Sequence, residues 1–413
     1  MRLLPIFLSG AIAASAQVAN FDELFQLAAS HSPQAESALR KVMKPDELTK
    51  GTAWLSKGGS FIFAVESSSQ PSLVVDDGTP QAMTREGELW FSVAKLATGR
   101  THNFTYIKDG KPYGGRTDVI AYGPLSYERA GVPKGTLSEK MQHTSKIYDG
   151  MVADYWTYVP AQYDPAKPAA VMFWTDGEVL VPRNEPSRAQ IVFDNLTHDK
   201  KIPAIIHVLV SPGLHGTQRL RSPQYDTVSD VFARYALDEI LPEVAKKYNL
   251  RKDGYSRAMA GDSSGGICAF NAAWWKPAEF SRVLSRIGSF TSIQWKPGQL
   301  DGGNIFPFAI RKQPKRNIRV WMQDGSGDLE NEHGSWPAQN IALANSLKMK
   351  GYDFRFIFGN GTHSRNGGHA ELAEEMVWLW RDYDPAKTSQ EFEQDPAEKL
   401  KPSFRVKALN REE

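Results

Sequence analysis

The chain has 413 residues, with 49 lysines and arginines against 47 aspartates and glutamates, and 41% of it is hydrophobic. A formal charge of +2 gives no electrostatic footprint for nucleic acid or an acidic membrane surface, and the length suits two or three globular domains. Cys268 is the only cysteine, so no intrachain disulfide can form and the core must supply the stability.

Residues 1–16, MRLLPIFLSGAIAASA, set one arginine ahead of a short apolar run ending in Ala14-Ser15-Ala16, a small-residue cleavage signal. The run is too short to span a bilayer. The expectation is a signal peptide and a secreted or periplasmic mature chain with no membrane span; a retained amino-terminal anchor is the alternative. Residues 17–50 read as a helical segment. Phe21, Leu24, Phe25, Leu27 and Ala28 fall at helical spacing behind Asn20 as a cap, and Ser32-Pro33 breaks that helix and opens a second.

From 51 to 124 the texture changes to short β-rich runs at 52–55, 61–65, 72–75, 89–93 and 103–107, divided by turn signals such as Asp76-Asp77-Gly78 and Asp109-Gly110. The alternation of Phe61, Phe63 and Val65 predicts one face packed on a second sheet, as in a small immunoglobulin-like β-sandwich. Trp54, Trp90 and Tyr106 are either its core or a sugar-stacking surface, core being the commoner fate of such rings.

After a connector, residues 135–383 carry predicted strands at 153–159, 169–174, 204–210, 256–260, 282–287, 318–323 and 354–358. Predicted helices at 228–247, 265–275, 337–349 and 370–381 separate many of them. Apolar strands alternating with amphipathic helices predict an α/β fold, a mostly parallel sheet with helices on both faces. Residues 384–413, dense in charge, read as a loosely packed tail.

In open sheets of this kind ligands sit beyond the carboxyl ends of the strands. Gly261, Ser263 and Gly265 form a G-x-S-x-G spacing between a predicted strand and a predicted helix. A sharp turn there would strain the serine backbone and lift its hydroxyl above a helix amino terminus. Beyond 169–174 lies TDGE (175–178), where the amide of Gly177 or Glu178 can serve with that of Ser264 as an oxyanion hole; Asp176 reads equally well as a turn former. Beyond 204–210, Arg221 and Tyr225 either line an acyl or alcohol pocket or belong to a loop held by local salt bridges. Glu178, Arg221 and Tyr225 are the substrate-binding candidates.

Beyond 318–323 the DGSGD loop offers Asp328 as the acid that orients a histidine, with Asp324, Glu330 and Glu332 in competition. Beyond 354–358, GNGTHSRNGGHA offers His363 as general base, five residues past the strand, and His369 as its rival. The order Ser263, Asp328, His363 is the one in which α/β-hydrolases place nucleophile, acid and base. No cluster has metal-ligand spacing, and no cofactor is expected.

The chain resembles the Putative esterase branch of the α/β-hydrolases, which includes enterochelin esterases and carbohydrate esterases of the feruloyl and acetylxylan type. The likeness covers about 155–383. It rests on FWTDGE (173–178), RSPQYD (221–226), GDSSGG (261–266), IGSFTS (287–292), QDGSGDLEN (323–331) and GNGTHS (359–364). It implies Ser263 as nucleophile, His363 as base, Asp328 as acid and the backbone of Gly177 and Ser264 at the oxyanion. It departs at 295–303, where relatives often carry a glycine-rich run. Such enzymes cleave feruloyl and acetyl esters of polysaccharides, siderophore trilactones or synthetic esters, and some transfer acyl groups. The resemblance thus implies a secreted serine carboxylesterase. The alternatives are a siderophore trilactone esterase and a carbohydrate-binding protein on a hydrolase scaffold.

Overall fold

A computed structural model describes residues 20–405, so the segment read as a signal peptide lies outside the described residues. Asn20 accepts the amide of Glu23 at 3.0 Å and starts the first helix, Phe21–Ala29. Two short helices follow, Ala35–Arg40 and Pro45–Lys50, the last with proline in its first turn and Gly51 in the left-handed conformation that ends it.

The chain folds as two units. The first takes the described residues up to Val74 together with Thr79–Lys95 and Thr105–Gly115. There Leu24, Leu39 and Leu48 of the helices pack on Ile62, Leu89 and Phe91 of an antiparallel sheet. Its strands run Ala53–Lys57, Ser60–Glu66, Leu89–Lys95 and Thr84–Glu86 in spatial order. Trp90 and Tyr106 are buried, the indole NH donating to the Ser67 carbonyl and the phenol to that of Ala64. Those two rings are core and offer no sugar-stacking surface. A second four-stranded sheet is formed by Gln81–Ala82, Ser72–Val75, Arg100–Lys108 and Lys111–Ala121. The unit boundary falls within its strands, and Val75–Gly78, Leu96–Phe104 and Arg116–Ala121 group with the second unit.

The second unit is built on a larger sheet whose middle is six parallel strands. In spatial order they are Ile205–Val210, Ala170–Thr175, Arg257–Asp262, Arg282–Arg286, Arg319–Gly327 and Asp353–Thr362. Val152–Val159 joins antiparallel beside Ile205–Val210, and the short strands Thr136–Leu137, Met141–Thr144 and Leu214–His215 pair antiparallel with it. Apolar side chains bury on both faces. Phe173, Met259 and Val320 point to one side with Phe270 and Leu343, while Met172, Leu284 and Trp321 point to the other with Phe193 and Leu379. This two-sided burial explains why the strands read as continuous apolar runs.

Three features depart from the sequence reading. The helix expected over 228–247 is Val231–Arg234, a π-helical stretch Tyr235–Ile240 and Leu241–Ala245. Pro242 has no amide to give to a carbonyl four residues back, which favours a wider turn before it. The helix Ala189–His198 had no sequence cue: Arg188 ahead of it has a positive φ of 51° and makes no side-chain cap. The described part of the tail is packed rather than loose. Phe392 is buried, with the Arg282 and Arg319 guanidiniums 5.2 and 4.6 Å from its ring, and Phe404 stands edge-on to Phe356. Charge density hid these isolated aromatic anchors.

Candidate active site

Ser263 has φ 58° and ψ −121°, a conformation that costs a non-glycine residue on the order of 1–3 kcal/mol. The surroundings hold it there. Its amide donates to Arg286 O on the next strand at 2.9 Å, and its carbonyl accepts from Gly266, Ile267 and Ser289. The flanking glycines are required by close approach: a Cβ on Gly261 would lie 2.0 Å from Thr175 Oγ1, and one on Gly265 2.3 Å from the same atom. The serine thus stands at the junction of the Arg257–Asp262 strand and the Ser264–Trp275 helix.

His363 comes to it from the end of the Asp353–Thr362 strand. Its Nε2 lies 2.9 Å from Ser263 Oγ, and its Nδ1 lies 2.5 Å from Asp328 Oδ1. A carboxylate can only accept, so the ring proton sits on Nδ1 and the Nε2 lone pair faces the serine hydroxyl. Asp328 reaches this position because a register shift between Gly325 and Gly327 kinks the Arg319–Gly327 strand before it. His369 makes no such contact. It is buried, and burial together with the nearby Arg286 and Arg365 charges lowers its pKa to about 3, which holds the ring neutral. Glu330 is exposed in a small hairpin, and Glu332, also exposed, lies beside His333.

The histidine strand is itself braced. The amide and hydroxyl of Thr362 donate to Asp118 Oδ2 at 3.0 and 2.8 Å. The Asn360 carbonyl accepts from Asn103 and Arg116, and the Asn360 side-chain amide donates to Asp77. Burial raises the pKa of Asp118, against the pull of the two Thr362 bonds.

The amides of Gly177 and Ser264 open a 3₁₀ turn, Gly177–Leu180, and the Ser264–Trp275 helix; at such first positions no carbonyl of the same helix can reach an amide. Asp176, just before Gly177, is buried with a left-handed φ of 50°. Arg221 grips its carboxylate with two bonds of 2.7 and 2.6 Å, and Arg219 and Arg365 stand 3.8 and 3.7 Å away. Tyr225 is fully buried, and its hydroxyl accepts the Asp176 amide at 3.2 Å. It lies under the loop and presents no surface to a ligand. Glu178 accepts a bond from Arg219 at 2.9 Å. Asp226, beneath the helix start, has its pKa pushed up to about 6 by burial, against bonds from Ser222 and Ser264.

Two neighbours of Ser263 carry no role in the sequence reading. Ser289 Oγ lies 3.2 Å from Ser263 Oγ, and Trp336 donates its indole NH to Ser289 while standing edge-on to His363 at 5.6 Å. Ser289 sits in the IGSFTS segment, so a cue existed; Trp336 opens a helix and had none.

The sequence profile of the family described as Putative esterase matches residues 154–379, more than half of the chain. The chain belongs to that family. Among curated proteins it is similar to an endo-1,4-beta-xylanase/feruloyl esterase of Xylanibacter ruminicola, 29% identical over 178 residues. That stretch is 43% of this chain and only 22% of the relative's length. Among solved structures it is similar to the enterochelin esterase of Shigella flexneri, with a TM-score of 0.55 and 15% identity over 80% of this chain and 95% of that one. The ferric enterobactin esterase of Salmonella typhimurium gives 0.53 and 18% over 80% and 96%. At these identities the likeness is one of fold, of the α/β-hydrolase type.

Proposed function

We propose that this esterase-family chain is an exported serine carboxylesterase that works through an acyl-enzyme on Ser263. The observation that carries the reading is the unbroken hydrogen-bond chain from Ser263 through His363 to Asp328. As Ser263 Oγ attacks the acyl carbon, its proton passes to His363 Nε2, and Asp328 stabilises the imidazolium. The Gly177 and Ser264 amides hold the oxyanion of the tetrahedral intermediate. Collapse expels the alcohol, which takes the proton from His363; water then repeats the sequence and releases the acid.

Feruloyl or acetyl esters attached to polysaccharide are the proposed substrates. The feruloyl esterase named among the relatives supports this, as does Trp295, an exposed ring next to Gln294, whose amide bonds Ser222 beside Arg221. A second reading is a siderophore trilactone esterase, favoured by Arg219 and Arg365, two partly exposed cations beside Asp176 that suit an anionic substrate. The proposed organisation is a signal peptide at 1–16, a helical segment at 17–50, an immunoglobulin-like sandwich at 51–124, the catalytic domain at 135–383 and a terminal segment at 384–413.

The test is turnover of methyl ferulate and of an iron-loaded trilactone side by side, with fluorophosphonate labelling. Ser263→Ala is expected to lose labelling and on the order of a million-fold in kcat, and Asp328→Asn roughly 10,000-fold. Full activity in Ser263→Ala would end the reading. Faster turnover of the trilactone would select the second substrate class.

A further inference from the structure

Asp324 lies four residues before Asp328 and is fully buried. Its Oδ1 accepts the Gly325 amide at 2.8 Å. Its Oδ2 is buried and receives no N–H or hydroxyl donor. Asp328 shows the complementary arrangement. Its Oδ1 takes both the His363 imidazole and the Leu329 amide, while its Oδ2 is buried and likewise receives no such donor. Burial first, and then a hydrogen-bonding interaction with Asp328 and its charge, raise the pKa of Asp324, so the two buried carboxyls act on each other across one loop. Two carboxylates cannot donate to each other, and two adjacent negative charges away from water repel strongly. One proton between the two orphan oxygens satisfies both.

We propose that Asp324 is a neutral carboxylic acid that donates its proton to Asp328 Oδ2, so that His363 faces one member of an acid–carboxylate pair. Asp328 is the acceptor of the two because its other oxygen already draws a pair of donors. The groups that face Asp324 agree with this assignment. Asp328 disfavours its ionisation from the same loop, as burial does. The Gly325 amide, and the nearby Asn340 side chain of the Trp336–Met349 helix, whose amide N–H groups bond the Gly288 and Trp336 carbonyls, oppose that effect without reversing it, and the carboxyl stays well above its ordinary range. Asp118, on the strand that braces Thr362, adds a further carboxyl near Asp328. Asp324 is therefore a positioning residue. It fixes the plane of the Asp328 carboxylate and draws charge from it, which leaves the proton on His363 Nδ1 throughout the reaction.

Two substitutions and a spectrum test this. Asp324→Ala removes the donor and is expected to lower kcat roughly 10- to 100-fold with KM unchanged, the loss expected for one hydrogen bond to a charged group. Asp324→Asn offers an amide NH in the same place, and should recover most of that loss. Deprotonation of Asp324 is expected to give the wild type an alkaline decline in kcat, which Asp324→Asn should lack. In infrared difference spectra at neutral pH, the wild type should show a protonated-carboxyl stretch that Asp324→Asn lacks. The kinetic arm rests on the esterase reading; the infrared arm does not, so the pair can be judged even if no ester is turned over. If Asp324→Ala fails to fold, Asp324→Asn and the spectrum decide alone. No lost band, an alkaline decline that persists in Asp324→Asn, or an Asn variant as impaired as the Ala variant would overturn the proposal.

Discussion

The indole Nε1 of Trp336 stands 3.1 Å from the hydroxyl oxygen of Ser289. An indole NH only donates, so Ser289 accepts there and its own proton is left for Ser263 Oγ, 3.2 Å away. Ser263 Oγ then accepts from Ser289 and donates to His363, which fixes its rotor. Trp336→Phe and Ser289→Ala are each expected to lower kcat on p-nitrophenyl acetate roughly fivefold, the worth of about one ordinary hydrogen bond. Because the two act in series, the double variant should be little worse than either single one. Fully additive losses would separate the tryptophan from the serine.

The turn at Ser263 depends on the space its glycines leave. A Cβ on Gly265 meets chiefly the Thr175 hydroxyl, whereas one on Gly261 also meets the backbone of Gly265 at 2.5 Å. Both alanine substitutions are expected to destabilise by about 1–3 kcal/mol in urea unfolding. Adding Thr175→Ala should restore much of the loss in Gly265→Ala and little of it in Gly261→Ala. Equal rescue at both positions would contradict the geometry.

Asp118 holds Thr362, one residue before His363, by two bonds. Asp118→Ala frees that end of the strand and is expected to lower kcat and slow fluorophosphonate labelling by about tenfold, with KM little changed. A rise in KM alone would place Asp118 in substrate binding instead.

Glu371 carries a clear pH signature. Burial, with the neighbouring Glu375 charge, pushes its carboxyl up to about 8 from an ordinary 4.5, against the opposing Arg286 charge. The folded chain keeps a proton that the unfolded chain releases. This contribution to stability is fully present below about pH 4.5 and is lost as pH rises through about 8. Glu371→Gln removes that dependence. Its Tm should fall less than that of the wild type between about pH 5 and about pH 9, and should exceed it at the alkaline end. Parallel curves would show that Glu371 is ionised in the fold.

The six parallel strands were legible because burial on both faces leaves an unbroken apolar run. The convergence of Ser263, Asp328 and His363 was legible because each follows such a run on a glycine-marked loop. The packing of Phe392 and Phe404 was not, since one aromatic in a charged stretch leaves no period to detect. Trp336 and Asp118 were equally hidden. They act through hydrogen bonds between residues 47 and 244 positions apart in the chain, which no local pattern encodes. Tyr225 read equally as a pocket residue or as part of a salt-bridged loop, because its exposure depends on how the Asp176 loop covers it.

The side chains that grip residues 360 and 362 are Asp77, Asn103, Arg116 and Asp118, and all four precede the first residue of the family match at 154. A gene fragment cut to the family boundary would encode Ser263, Asp328 and His363 yet leave behind the rigging that steadies the strand end ahead of His363. Grafting this chemistry onto another scaffold therefore means carrying those upstream strand ends along with it.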